Sequence, residues 1–183
     1  MNEVNVAIVG LGFVGGAIEK SFREKGIKVV GYDKYRNIGS LEECMATDIM
    51  FLALPTLFNE ELLSAVGATH ASGKGNSYDL SAIHEVCEEL SVKGYSGVTI
   101  IKSTVEPETT MNLGRKYDNL PFIHNPEFLS AATAYEDFHS QKHIVLGKGE
   151  HAPKKNFLLW RDFINIIILM LKFPFVHQQK VNA

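Results

Sequence analysis

The chain reads as an α/β protein: a doubly wound, mostly parallel sheet of about six strands with a short C-terminal tail. Three observations predict it. Strand-like and helix-like stretches alternate from residue 4 to residue 147. The strand stretches are near-continuously apolar, as strands covered on both faces must be. A glycine-rich turn joins the first strand to the first helix.

The elements follow in order. VNVAIVG (4–10) is a dense β-branched run ending in glycine, a buried strand. FVGGAIEKSFREKG (13–26) is helical: Val14, Ala17, Ile18 and Phe22 share a face, and Gly26 suits the C-terminal cap. IKVVGYD (27–33) is the second strand. SLEE (40–43) is a capping box, in which the Ser40 hydroxyl accepts from the Glu43 amide and Glu43 reaches back. DIMFLALP (48–55) is a third strand, stopped by proline. A polar loop containing SGKGNS (72–77) leads to the helix DLSAIHEVCEEL (79–90), with Leu80, Ile83, Val86, Cys87 and Leu90 at core spacing. GVTIIKST (97–104) is a fourth strand. PETTMNLGRKY (107–117) is a helix with proline at its first position. LPFIHNP (120–126) and KHIVLG (142–147) complete the sheet.

Length and charge set bounds. With 183 residues the chain can bury one real core, and its net charge of −3 creates no field that gathers nucleic acid. The charge is uneven: residues 151–183 carry Lys154, Lys155, Arg161, Lys172 and Lys180 against Asp162 alone. That shift divides the chain into a domain over 1–150 and a tail over 151–183. Cys44 and Cys87 belong to no CxxC pair and no secretory pattern opens the chain, so a cytoplasmic protein is expected. The apolar run 163–176 is broken by Asn165, Lys172 and Pro174 and falls short of the roughly 20 residues that span a bilayer, so no membrane is expected. The histidines show no metal-ligand spacing, and no metal is expected.

GLGFVG (10–15) fits GxGxxG, a weak signal alone. Here it follows a buried strand, opens a helix, and is answered by Asp33 at the end of the next strand. Gly10 permits the tight turn, Gly12 lets the backbone approach a diphosphate, and Gly15 lets the helix pack on the strand. Amides at the helix start, including those of Leu11, Phe13 and Val14, favour the phosphate charge. Asp33 would hold the adenosine ribose diol and repel a 2′-phosphate, so NAD is expected over NADP; Lys34 and Arg36 nearby weaken that preference. The domain is therefore Rossmann-like. The alternative is a glycine turn without a ligand.

Three further strand ends carry unusual residues: ALPT (53–56), KSTVEP (102–107) and NPEFL (125–129). With the glycine loop, the Pro55-Thr56 pair, STVxP and the later Asp137 and IVLG, their order resembles the N-terminal domain of the UDP-glucose/GDP-mannose dehydrogenase family over about residues 4–149. The resemblance implies oxidation of a nucleotide-sugar C6 alcohol to a carboxylate with two NAD, through a cysteine-bound thiohemiacetal and thioester. It implies that Pro55, Thr56, Ser103 and Thr104 bind the cofactor, that Thr104 touches the nicotinamide side and helps hold a water, and that Glu127 sits near the sugar and assists acid/base work or thioester hydrolysis. Pro126 with Phe128 and Leu129 would fix the loop that carries Glu127. Without the resemblance, Glu127 reads first as a solvated loop acid and Thr104 as a helix cap. The implied partners are a UDP-glucose-class nucleotide sugar and a second copy of the chain. Two other functions stay open: a non-catalytic NAD-binding module, and a β-hydroxyacid-type dehydrogenase, which does not explain NPEFL.

The chain departs from the family pattern in two places. Ala131 and Ala132 stand where the family has a second glutamate and a glycine. The family's nucleophilic cysteine lies in a later region, and Cys44 and Cys87 read as small core residues rather than substitutes. In the tail, NFLLWRDF (156–163) starts as an amphipathic helix and 164–183 then loses the helical period. An oligomer-interface element, a membrane-associated piece and a shifted reading frame are the three accounts of it, and the abrupt loss of periodicity favours the last.

Overall fold

A computed structural model describes residues 4–58 and 78–148. The expected loop motif at 72–77 and the tail 151–183 lie outside the described residues. The elements are β1 (Val6–Val9), α1 (Phe13–Glu24), β2 (Val29–Tyr32), α2 (Leu41–Met45), β3 (Ile49–Leu52), α3 (Ser81–Val92), β4 (Val98–Ile101), α4 (Thr109–Lys116), β5 (Phe122–His124), α5 (Ala134–His139) and β6 (Gly147–Lys148). They form one sheet in the order β2-β1-β3-β4-β5-β6. All pairs are parallel except β5–β6.

The apolar runs are explained by burial on both faces. In β1, Ala7 and Val9 join one core with Met50, Leu52, Ile83, Cys87 and Leu113, while Val6 and Ile8 join another with Phe51, Ile100, Ile18, Phe22 and Phe138. Helices α3 and α4 thus contribute to the first core, α1 and α5 to the second. No position of β1 exceeds 1% exposure. A strand that leaves neither face to water cannot show the alternation of a half-buried one.

Local chemistry sets the helix ends. Ser40 Oγ accepts from the Glu43 amide at 3.3 Å and Glu43 Oε2 accepts from the Ser40 amide at 3.2 Å, the capping box read from SLEE. Gly26 follows α1 at φ +77°, a left-handed conformation that suits glycine.

The strands are shorter than the apolar runs that mark them, β4 covering Val98–Ile101 rather than 97–104, and helix α5 is not among the expected elements. Two further boundaries have local causes. Helix α4 begins at Thr109, not at Pro107. Glu108 lies in the left-handed region (φ 69°), and the Thr109 amide donates to the Glu106 carbonyl at 3.2 Å, so a turn replaces the first helical residues. The sixth strand covers Gly147–Lys148 rather than 142–147 and runs antiparallel to β5. Asn125 Nδ2 donates to the Val145 carbonyl at 2.9 Å, so a side chain holds the approach to β5 and the ladder starts only at Gly147.

Strand order reverses at β1: the chain goes to β2 on one side and returns to β3 on the other. The carboxyl ends of β1 and β3 therefore flank the crevice in which open α/β sheets hold ligands.

Candidate cofactor and strand-end site

The glycine loop closes the crevice against β3. The Ala53 amide donates to the Val9 carbonyl at 2.8 Å, which brings Gly10 beside Ala53. Gly10 is at φ +89°, and a Cβ there would stand 2.4 Å from the Ala53 carbonyl oxygen. A Cβ on Gly15 would stand 1.8 Å from the Gly10 carbonyl oxygen, so α1 packs on the loop through a bare backbone. Gly12 is different: nothing lies within 4 Å of its Cβ position. It forms the N-cap of α1 with no side-chain cap, so the helix start faces open space with its first amides unpaired within the helix. That is the cradle a diphosphate fits.

Asp33 holds its position through three main-chain bonds. Oδ2 accepts from the Leu11 amide at 2.9 Å, and Oδ1 accepts from the Tyr35 and Arg36 amides, both at 3.0 Å. A carboxylate has about four lone-pair sites, so capacity remains for a ribose hydroxyl. Both cations that follow it are engaged. Lys34 Nζ meets Glu85 Oε1 at 2.5 Å, and Arg36 Nη1 donates to the Leu11 carbonyl at 2.6 Å.

A cavity of about 440 Å³ joins these parts. Gly10, Gly12, Phe13, Val14, Asp33 and Pro55 line it, with Ala82, Glu85 and Glu89 of α3 on the far wall. Leu11 and Gly15 stand behind it: the Leu11 side chain is buried, its amide is taken by Asp33, and Gly15 is a packing contact.

Thr56, Ser103, Thr104 and Glu127 sit outside that lining, at the ends of β3, β4 and β5. Thr56 Oγ1 donates to the Thr104 carbonyl at 2.7 Å and ties two strand ends together. Ser103 is buried, and its hydroxyl bonds to Leu54 main-chain atoms at 2.9 and 2.7 Å, which makes it a brace between strands. Thr104 is exposed. Glu127 is half-buried; its Oε2 is shielded from solvent and has no hydrogen-bond partner. Burial raises its pKa above the usual carboxylate range, and Lys102 opposes the rise.

The loop around Glu127 is not fixed as expected. Phe128 is 77% exposed, while Leu129 packs against a core. Lys102, which the sequence reading passed over, takes that part. Its side chain is 2% exposed, and Nζ donates to Asn125 Oδ1 and the Pro126 carbonyl, each at 3.3 Å. Burial pulls its pKa down to about 8. No local pattern marks it, because a lysine after VTII reads as a polar strand terminus until Asn125 and Phe138 are packed against it.

Cys44 and Cys87 are both buried, and burial pushes each thiol up to about 12. Neither is a nucleophile near neutral pH. Among the described residues no cluster could hold a metal ion, and no helix is long and apolar enough to cross a membrane.

Fold and crevice together define a dinucleotide-binding α/β domain. Residues 37–161 match the model for the UDP-glucose/GDP-mannose dehydrogenase family, NAD-binding domain, so more than half of the chain is covered. The chain belongs to that family and contains its NAD-binding domain. It is 29% identical over 185 residues to the UDP-glucose 6-dehydrogenase AglM of Haloferax volcanii, covering 79% of this chain and 41% of that protein. The fold is shared with a UDP-glucose dehydrogenase from Pyrobaculum islandicum (TM-score 0.64, 22% identity, 93% of this chain and 44% of that one). It is also shared with a 3-hydroxyisobutyrate dehydrogenase of Mycobacterium tuberculosis (TM-score 0.61, 13% identity, 91% and 52%). The chain thus spans less than half the length of the UDP-glucose dehydrogenases it matches here.

Proposed function

We propose that this chain binds NAD in the crevice between β1 and β3 and serves as the cofactor half of a nucleotide-sugar 6-dehydrogenase of the UDP-glucose type. The observation that carries the reading is the pairing of open space at Gly12 with an Asp33 carboxylate fixed at the crevice edge. Bound NAD supplies a hydride acceptor. The chain's own residues hold its diphosphate on the α1 amides and its ribose on Asp33. Glu127, at the β5 end, is the base that takes a proton from the substrate hydroxyl or from water, and Thr104 presents a hydroxyl on the neighbouring strand end. Over both oxidations the substrate alcohol and one water would become a carboxylate, releasing three protons and giving two hydrides to two NAD⁺.

The buried thiols favour a second reading, a module that binds NAD without turning it over. Calorimetric titration with NAD and NADP tests the binding claim. NAD is expected to bind more tightly, and Asp33→Ala to erode the preference. Equal affinity of the unmutated chain for both cofactors contradicts the assignment of Asp33. NAD binding without NADH formation from UDP-glucose supports the non-catalytic reading.

A further inference from the structure

Lysine 102 is a buried cation whose hydrogen-bond partners are neutral. A lysine this far inside cannot carry its ammonium to water along its own stem, as surface lysines do. Methionine would fill the same space without desolvating a charge. The contacts indicate what the charge does. Nζ donates to the Asn125 side chain and the Pro126 carbonyl, the two residues immediately before Glu127. Asn125 passes the connection on, since its Nδ2 donates to the Val145 carbonyl. The ends of β4 and β5 and the segment before β6 are thereby joined through one ammonium. The Phe138 ring lies 5.8 Å from Nζ and closes its apolar side. Two titratable groups feel this ammonium, Glu127 and His124. Each keeps a buried side-chain atom without a partner: Oε2 of Glu127 and Nε2 of His124.

We infer that Lys102 is a positioning residue for Glu127: its ammonium grips the Asn125 side chain and the Pro126 carbonyl, fixes the segment that carries Glu127 at the carboxyl end of β5, and favours the carboxylate over the neutral acid there. The inference rests on the reading of Glu127 as the base. Lys102 acts through that residue and does not line the cavity proposed for the cofactor. Burial alone would push Glu127 toward its neutral acid, which cannot accept a proton. The ammonium opposes this in part, and it also disfavours the charged form of His124, where charge repulsion adds to the effect of burial.

The test follows the Glu127 carboxyl carbon by NMR titration in the intact 183-residue chain without cofactor, with Glu127→Gln identifying the signal. In Lys102→Met the carboxyl midpoint is expected to move to higher pH, and in Lys102→Arg to return toward that of the unmutated chain. A merely structural lysine would not give this charge-dependent pattern. Lys102→Gln keeps a donor for Asn125 and Pro126 but no charge, and it serves if the methionine variant does not fold. A midpoint unchanged in the folded neutral variant overturns the inference. Because the readout needs no cofactor, its failure is distinct from failure of the functional reading, which would appear as absence of NAD binding to the unmutated chain.

Discussion

Alanine at Gly12 and alanine at Gly15 should harm different properties, although the two glycines share one motif. A Cβ on Gly15 falls 1.8 Å from the Gly10 carbonyl oxygen, about 1.6 Å short of ordinary contact, and the obstacle is backbone. Overpacking of this kind costs roughly 1–3 kcal/mol and occasionally more; a clash with a fixed carbonyl belongs at the top, about 3 kcal/mol. For a chain of this size each kcal/mol moves Tm by about 2–4 °C, so Gly15→Ala should melt roughly 6–12 °C lower. At Gly12 the backbone is extended (φ −68°) and nothing lies within 4 Å, so alanine should cost at most about 1 kcal/mol as a poorer N-cap. Its methyl would, however, occupy the space proposed for the diphosphate. NAD affinity should fall at least about tenfold, which is about 1.4 kcal/mol. Thermal melts with calorimetric NAD titration read both quantities. If Gly12→Ala binds NAD as tightly as the unmutated chain, the diphosphate does not sit on this loop. If Gly15→Ala melts unchanged, the packing argument fails.

Other outcomes follow from the same geometry. Lys102 has a folded pKa of about 8 against a reference of 10.5, so carrying its charge at neutral pH costs about 3 kcal/mol. Between pH 8 and 10.5 the native state has released a proton that the unfolded chain still holds, so stability rises with pH across that window. Lys102→Met should lack this rise, as denaturant melts from pH 7 to 10.5 would show; parallel curves for the two proteins refute the buried charge. The thiols of Cys44 and Cys87 should resist alkylation in the native chain at pH 8 and react on unfolding; rapid native labelling contradicts their burial. Ser40→Ala should cost about 1 kcal/mol by removing the α2 capping box, read as a lowered denaturation midpoint.

The sequence made the sheet legible because burial on both faces leaves a plain mark: VAIV and IMFL have no polar position to blur them, and VTII has only the β-branched Thr99. The glycine loop was legible for a related reason. Gly10 and Gly15 are required by backbone contacts, and such requirements admit few other residues. What the sequence hid depends on partners distant along the chain. The short, antiparallel β6 pairs with β5 just after the Asn125–Val145 bond, a contact that no local pattern announces. Lys102 looked like a polar strand terminus, because burial by Phe138 and the Asn125 loop exists only once β5 and α5 are packed. Phe128 misled in the opposite direction: an aromatic beside a leucine suggests packing, yet it faces water.

The central claim is that the crevice between β1 and β3 holds NAD. The most direct measurement is a crystal structure of this chain with NAD. The diphosphate should lie over Gly12 at the start of α1, with an adenosine ribose hydroxyl bonded to Asp33. Density for the cofactor elsewhere, or a crevice filled by the protein's own side chains, would contradict the account.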